Sequence, residues 1–127
     1  MAAHQSRRIP LQTQEQFEAL LNPEESLSGP VLINFSATWC GPCRSLDWDF
    51  LLEEFPDLTV YKCDVDENSY TTGFCGVRSI PAFVFLFPSP KGQKSRVVGP
   101  ETVSGTAKVA TWISATLKAN ATAAKTS

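Results

Sequence analysis

The stretch VLINFSATWCGPC, residues 31–43, joins a predicted buried strand to a helix that carries two cysteines. Its first five residues are apolar apart from Asn34, which is typical of a strand buried on both faces of a sheet. After a short link, Cys40 stands at the predicted start of a helix, and Cys43 follows one turn later. The stretch therefore predicts an α/β fold with a two-cysteine site at a strand-to-helix junction.

Helices and strands on either side follow from apolar spacing and turn residues. A capping box at Thr13 and Gln16 begins a helix over 13–22. The other predicted helices lie at 40–55, 66–74 and 106–118, and the other strands at 59–63, 82–87 and 94–98.

This order of elements predicts the architecture. Helix and strand alternate at first, and a tight turn joins the last two strands, which indicates a central mixed sheet with helices on both faces. The sheet is expected to be parallel in its centre and antiparallel at one edge. Right-handed crossovers then place the helices at 13–22 and 40–55 on opposite faces.

The composition of the 127 residues fits one domain, placed at 9–118 between a flexible N-terminus at 1–8 and a flexible tail at 119–127. Eleven basic and thirteen acidic side chains give a net charge of −2, which argues against nucleic acid as a partner. The longest apolar run, 82–87, is far shorter than the roughly 20 residues of a membrane-spanning helix, so no membrane contact is expected. The start lacks the apolar core of a secretion signal, so we expect a cytoplasmic protein, which is compatible with a monomer.

The two cysteines of the WCGPC motif are expected to act in different ways. Unpaired N–H groups at the helix start favour the thiolate of Cys40, which makes it the predicted nucleophile. Cys43, one turn further on, is the predicted resolving thiol. Pro42 needs no N–H partner in the first turn and stiffens the loop between the sulfurs. The pattern predicts dithiol–disulfide exchange.

A zinc site is the main alternative for a Cys-x-x-Cys motif, but a second ligand pair is missing. Cys63 and Cys75 lie twelve residues apart, and the single histidine, His4, lies in the predicted flexible N-terminus. We therefore expect no metal. The scarcity of histidine also argues against a cysteine–histidine hydrolase.

These motifs together resemble the thioredoxin family over residues 9–118. The resemblance rests on WCGPC at 39–43, PVLINF at 30–35, KCDVD at 62–66 and GVRSIP at 76–81. It implies the thioredoxin fold and a protein-disulfide reductase that thioredoxin reductase recharges with electrons from NADPH. Implied clients are peroxiredoxins, ribonucleotide reductase and methionine sulfoxide reductase. The chain itself is expected to hold no cofactor.

The resemblance also implies a substrate-binding surface made of Trp39, Gly41, Pro42, Ile80, Pro81 and Gly99. Trp39 is expected to shield the sulfurs, and Ile80 to pair its backbone with the client chain. Pro81 is expected to follow a cis peptide bond and to lie against the two cysteines. Gly99 is expected to border the groove, with Gly105 as the competing match.

Two residues depart from the family pattern. Asn34 stands where the family usually has a buried aspartate that faces the equivalent of Lys62 and relays a proton for the resolving cysteine. An amide cannot ionise, so we expect Cys43 to be activated less well, unless water transfers the proton adequately. Trp48 replaces a kinking proline, which predicts a straighter helix over 40–55. The neighbouring Asp47 either influences docking or is an ordinary surface charge.

The remaining cysteines and the overall activity leave alternatives open. Cys63 and Cys75 are expected to be separate buried thiols, with a regulatory disulfide as the alternative. The main functional alternatives are a disulfide isomerase domain and a binding or adaptor module with incidental redox chemistry. Isomerase domains usually carry a histidine between the cysteines, where this chain has Gly41 and Pro42.

Overall fold

A computed structural model of the protein describes residues 8–22 and 27–126. In chain order its elements are β1 (Arg8–Pro10), α1 (Gln14–Leu21), β2 (Val31–Ser36), α2 (Gly41–Arg44), α3 (Trp48–Glu54), β3 (Thr59–Asp64), α4 (Ser69–Phe74), β4 (Ala82–Phe87), β5 (Arg96–Thr102) and α5 (Thr106–Thr126). Of the predicted flexible N-terminus, residues 1–7, including His4, lie outside the described residues, and Arg8 begins β1.

The five strands form one mixed sheet in the order β1-β3-β2-β4-β5. β2 pairs in parallel with β3 and antiparallel with β4, and β5 is antiparallel to β4. The predicted sheet, parallel in its centre and antiparallel at one edge, is confirmed. Because β2 is the middle strand, the WCGPC motif begins beyond the carboxyl end of the centre of the sheet.

Two apolar layers cover the sheet. On one face α1 packs Phe17 and Leu21 against the odd-numbered residues of β2. On the other face α3 and α5 contribute Leu51, Leu52 and Ile113 to the second layer. α1 and α3 therefore lie on opposite faces of the sheet, because alternate residues of a strand point to opposite sides. This placement was predicted for the helices at 13–22 and 40–55.

The prediction of one straight helix over 40–55 is wrong, because this segment forms two helices, α2 and α3. Asp47 caps the start of α3 by accepting the N–H of Phe50 at 3.0 Å, and its own N–H donates to Thr106 Oγ1 at 3.0 Å. These two hydrogen bonds hold the chain outside helical geometry between α2 and α3. Asp47 is thus a structural cap.

The ends of the chain also differ in detail from the sequence prediction. The three-residue strand β1 pairs with β3 and was not predicted, because so short a segment has no detectable period. The last helix continues to Thr126, since its final turns consist largely of the helix-favouring residues alanine and lysine. Helical geometry does not test flexibility, so the flexible tail at 119–127 stays a prediction. Within the described ranges, none of the helices is both long and apolar enough to cross a bilayer.

Candidate active site

Cys40 and Cys43 form a disulfide at the start of α2, with their Cα atoms 5.3 Å apart. Both residues are buried, with 4% and 8% of their surface exposed, whereas Gly41 and Pro42 between them are exposed. The 5.3 Å separation lies in the ordinary range for disulfides, so one helical turn brings the two sulfurs together. The fold thus holds the two cysteines at a separation that suits a disulfide.

Local backbone geometry places Cys40 at the cap of α2. Its backbone is extended, and its Sγ accepts the N–H of Cys43 at 3.2 Å. The Cys40 N–H donates to the carbonyl of Ala37 at 3.1 Å, which fixes the link from β2. A sulfur that accepts an N–H at a helix start is stabilised as a thiolate when the disulfide is reduced.

A small apolar cluster surrounds the two sulfurs. Ala37 and the two cysteines form its buried part, and Val65 and Ile80 pack against it. Ile80 comes from the loop before β4, and its peptide bond to Pro81 is cis. The structure therefore brings the loop before β4 to the cysteines, as the family resemblance implies.

Trp39 projects from the rim of the site, with 66% of its surface exposed. Its indole N–H donates to Asp66 Oδ2 at 2.8 Å. Asp66 follows β3, which ends in register with β2, because Ser36 pairs with Asp64. The carboxyl ends of neighbouring parallel strands lie side by side. Residues 39 and 66 each follow such an end, so their contact could have been predicted from the sequence.

The two predicted groove glycines lie in different places. Gly99 lies opposite Val84 at an irregularity of the β4–β5 register, and Gly105 directly precedes α5. The β5 residue paired with Ala82, directly after Pro81, is Thr102, and its hydroxyl lies 3.0 Å from that of Ser79. The structure thus brings Thr102, rather than Gly99, next to the loop that contacts the cysteines. The sequence analysis missed Thr102 because its position depends on the irregular register.

A cavity of about 530 Å³ opens beside Cys43, and Asn34 and Lys62 form part of its wall. These two residues are directly paired between β2 and β3, as predicted. Asn34 is 1% exposed and Lys62 is exposed to solvent. Arg8 also lines the cavity, and its guanidinium lies 4.9 Å from the centre of the Trp48 ring. The sequence analysis missed Arg8 because β1 was not predicted.

Cys63 and Cys75 are both free thiols in the core layer that contains α1. Burial raises the pKa of Cys63 to about 11, and burial with the nearby Cys63 raises the pKa of Cys75 to about 12. Thiols of such high pKa are poor nucleophiles at neutral pH. The expectation of two separate buried thiols agrees with the structure. Among the residues described, no group of three or more His, Cys, Asp or Glu side chains is arranged to hold a metal ion.

Comparison with known proteins gives a consistent family match. The family model described as Thioredoxin matches residues 8–114. Thioredoxin Asp f 29 of Aspergillus fumigatus is 44% identical over 77 residues, which cover 57% of this chain and 67% of that protein.

Two solved structures extend the likeness over most of the chain. Oxidised mitochondrial thioredoxin 3 from Saccharomyces cerevisiae is 26% identical with a TM-score of 0.63, covering 91% of this chain and 97% of that one. A chain from work on thiol resolution in a yeast mitochondrial 1-Cys peroxiredoxin by the glutathione and thioredoxin systems is 25% identical with a TM-score of 0.62, covering 89% of this chain and 95% of that one.

Proposed function

The chain belongs to the thioredoxin family and is a thiol–disulfide oxidoreductase, and on that premise we propose that Cys40 attacks client disulfides and Cys43 resolves the product. The observation that carries this assignment is the Cys40–Cys43 disulfide at the start of α2. The proposal extends to recharging of the oxidised protein by an NADPH-dependent thioredoxin reductase.

The exchange proceeds in two steps that conserve electrons. The Cys40 thiolate attacks one client sulfur, the client S–S bond breaks, and the other client sulfur leaves as a thiolate. Cys43 then loses its proton and attacks Cys40 Sγ, which forms the Cys40–Cys43 disulfide and releases the second client thiolate. Two electrons pass from the protein dithiol to the client disulfide, and the two client thiolates take up protons.

The order of attack follows from the environment of each sulfur. Cys40 Sγ accepts the N–H of Cys43, which favours negative charge on Cys40 after reduction. Cys43 lies within α2, one turn after Cys40, and beside the cavity that Asn34 lines. Asn34 has no carboxylate to accept the Cys43 proton, which supports slower resolution than initial attack.

Clients dock around this pair. The exposed Trp39, Gly41 and Pro42 form one side of the docking surface, and the half-buried Ile80 with the buried Pro81 forms the other. Aromatic side chains such as Trp39 supply contact area at low entropic cost. The hydrogen bond from Trp39 to Asp66 holds the indole in one orientation for docking.

We propose client classes from the family and a compartment from the two free thiols. We assign disulfide-containing proteins as clients, with peroxiredoxins first because one structural relative comes from work on a peroxiredoxin. Ribonucleotide reductase and methionine sulfoxide reductase are further candidates. The free thiols Cys63 and Cys75 support a reducing compartment such as the cytoplasm, which a fluorescent fusion can test.

Insulin reduction with NADPH and thioredoxin reductase tests this function. We expect turnover by the intact protein, none by Cys40→Ser or Cys43→Ser, and near-normal turnover by the matched control Cys75→Ala. Cys43→Ser should accumulate a mixed disulfide with the client, whereas Cys40→Ser should not. Silence of the intact protein despite a reducible Cys40–Cys43 bond would instead favour an adaptor module.

A further inference from the structure

The cavity beside Cys43 is lined by equal numbers of positively and negatively charged side chains. Three cations and three carboxylates line it: Arg8, Arg44, Lys62, Asp47, Asp49 and Asp64. Its volume of about 530 Å³ lies in the range of small-molecule sites. Cys43 forms part of the same wall, so the cavity extends to the resolving thiol.

Two hydrogen-bond donors in the wall have no protein acceptor. Asn34 Nδ2 and Arg8 Nε are both buried, and no atom of residues 8–22 or 27–126 accepts a hydrogen bond from either. Leaving a buried hydrogen-bond donor unpaired is destabilising. The wall therefore favours a molecule that supplies hydrogen-bond acceptors.

The carboxylates of the wall already have partners. Asp47 Oδ1 accepts the N–H of Phe50 at 3.0 Å, and Asp64 Oδ1 accepts the N–H of Asp66 at 2.8 Å. Burial lowers the pKa of Arg8, and the neighbouring Asp49 opposes that shift by favouring the charged guanidinium. The buried polar atoms of this wall that have no partner are consequently two donors, Asn34 Nδ2 and Arg8 Nε.

We propose that this cavity binds a small free carboxylate, such as acetate or formate, which accepts the proton of Cys43 during resolution. The inference rests on the proposed function, because it assigns the proton acceptor for its second step. Asn34 Nδ2 and Arg8 Nε donate to the carboxylate oxygens, and Lys62 adds a positive charge at the cavity wall. A carboxylate from solution thus provides the base that the Asn34 amide cannot provide.

The step is balanced in protons and electrons. The bound carboxylate takes the proton of Cys43, becomes a carboxylic acid, and leaves Cys43 as a thiolate. That thiolate attacks Cys40 Sγ, the bond from Cys40 to the client sulfur breaks, and the client thiolate leaves with the electron pair. The carboxylic acid returns its proton to the client thiolate or to solvent, so the anion is a catalyst and is not consumed.

Binding is tested first, without any redox reaction. The side-chain NH₂ signals of Asn34 are followed by NMR while sodium acetate is added to the protein at constant pH and ionic strength. We expect a saturable shift with acetate and none with chloride. Arg8→Met should weaken the shift, whereas the matched control Arg96→Met, which removes an arginine that packs on Phe87, should leave it unchanged.

The proton transfer is tested by the rate of resolution. Dithiodipyridine, a neutral reagent without carboxylates, forms a mixed disulfide with Cys40 of the reduced protein. The second release of thiopyridone, at a rate independent of reagent concentration, then reports attack by Cys43. A positioned base provides about 10²–10⁴-fold, so we expect saturating acetate to accelerate this step by about 10²-fold.

Variants make the outcome decisive. Asn34→Asp supplies a fixed carboxylate, so its resolution should be faster without acetate and insensitive to added acetate. Equal rates with acetate and chloride in the intact protein would overturn the proposal, as would an NMR shift that chloride reproduces. Loss of resolution in Asp64→Asn without any acetate dependence would identify Asp64 as the base instead. None of these outcomes affects the insulin assay, whose failure would count separately against the proposed function.

Discussion

Replacing Gly99 by alanine should separate a structural role for this residue from a role in client binding. Gly99 has a φ of +117°, and an added Cβ would lie 2.9 Å from the carbonyl oxygen of Phe83. Phe83 lies in β4 between two paired strands, so its backbone cannot easily move away. Gly105 is the matched comparison, because its φ is +91° but its added Cβ would meet open space.

The magnitude follows from two contributions. Backbone strain at a positive φ costs an alanine about 1–3 kcal/mol, and this applies to both glycines. Overpacking against fixed backbone adds about 1–3 kcal/mol at Gly99 only. Gly99→Ala should therefore lower the free energy of unfolding by about 2–6 kcal/mol and Gly105→Ala by about 1–3 kcal/mol, out of a total of about 5–15 kcal/mol for a typical domain.

Urea unfolding of the oxidised proteins, followed by tryptophan fluorescence, measures both changes. Insulin reduction per folded molecule should stay within about twofold of the parent protein in both variants, a change of less than 0.5 kcal/mol, because an added Cβ at Gly99 meets the backbone of β4 and one at Gly105 meets open space. Equal destabilisation by the two substitutions would refute the steric argument. A stable Gly99→Ala protein that no longer reduces insulin would show that Gly99 borders the client groove after all.

Four further predictions follow from two hydrogen bonds and from the burial of two thiols. Asp66→Asn weakens the hydrogen bond that holds Trp39, so kcat/KM for insulin should fall by about fivefold, equivalent to about 1 kcal/mol, with an unchanged urea midpoint. In a variant whose two active-site cysteines are serine, Cys63 and Cys75 should resist iodoacetamide at neutral pH until the protein unfolds, and rapid labelling of the native state would contradict their burial. Their folded pKa values, about 11 and about 12, exceed the ordinary 9.0, so the unfolded chain loses these protons first. The free energy of unfolding should consequently fall as pH rises above about 9, and fall less in a variant with both cysteines replaced by alanine. Asp47→Ala removes a helix cap and should destabilise the protein by about 1 kcal/mol in urea unfolding, and a loss below about 0.3 kcal/mol would show that the cap is not needed.

Local sequence signals predicted the parts of the fold that local interactions determine. The capping box of Thr13 and Gln16 is present, because the side chain of each residue bonds the backbone of the other. The apolar run at 82–87 forms β4 with all six residues buried. Both features depend on residues within one turn or one strand, so their interactions can be inferred from spacing alone.

The errors come from interactions between distant parts of the chain. One helix was predicted over 40–55, but α2 ends at Arg44 and α3 begins at Trp48. The break depends on a hydrogen bond from Asp47 to Thr106, 59 residues later. The sequence contains no periodicity that reports such a contact.

The candidate site also combines residues that local sequence signals predict with residues whose position depends on distant contacts. The WCGPC motif and its position after β2 were sufficient to identify the cysteine pair. Thr102 and Arg8 were not predicted. The position of Thr102 depends on the β4–β5 register, and that of Arg8 depends on the three-residue strand β1. Side chains that reach a site from the outer strands of a sheet are therefore the hardest to predict from sequence.

Both outer strands of the described sheet carry a proline, Pro10 in β1 and Pro100 in β5. A proline has no N–H to offer an incoming strand, and the register irregularity of β5 distorts that edge further. Neither edge therefore presents the long, regular ladder on which fibrils grow. A molecule with such edges would resist adding a strand from another chain to either side of its sheet.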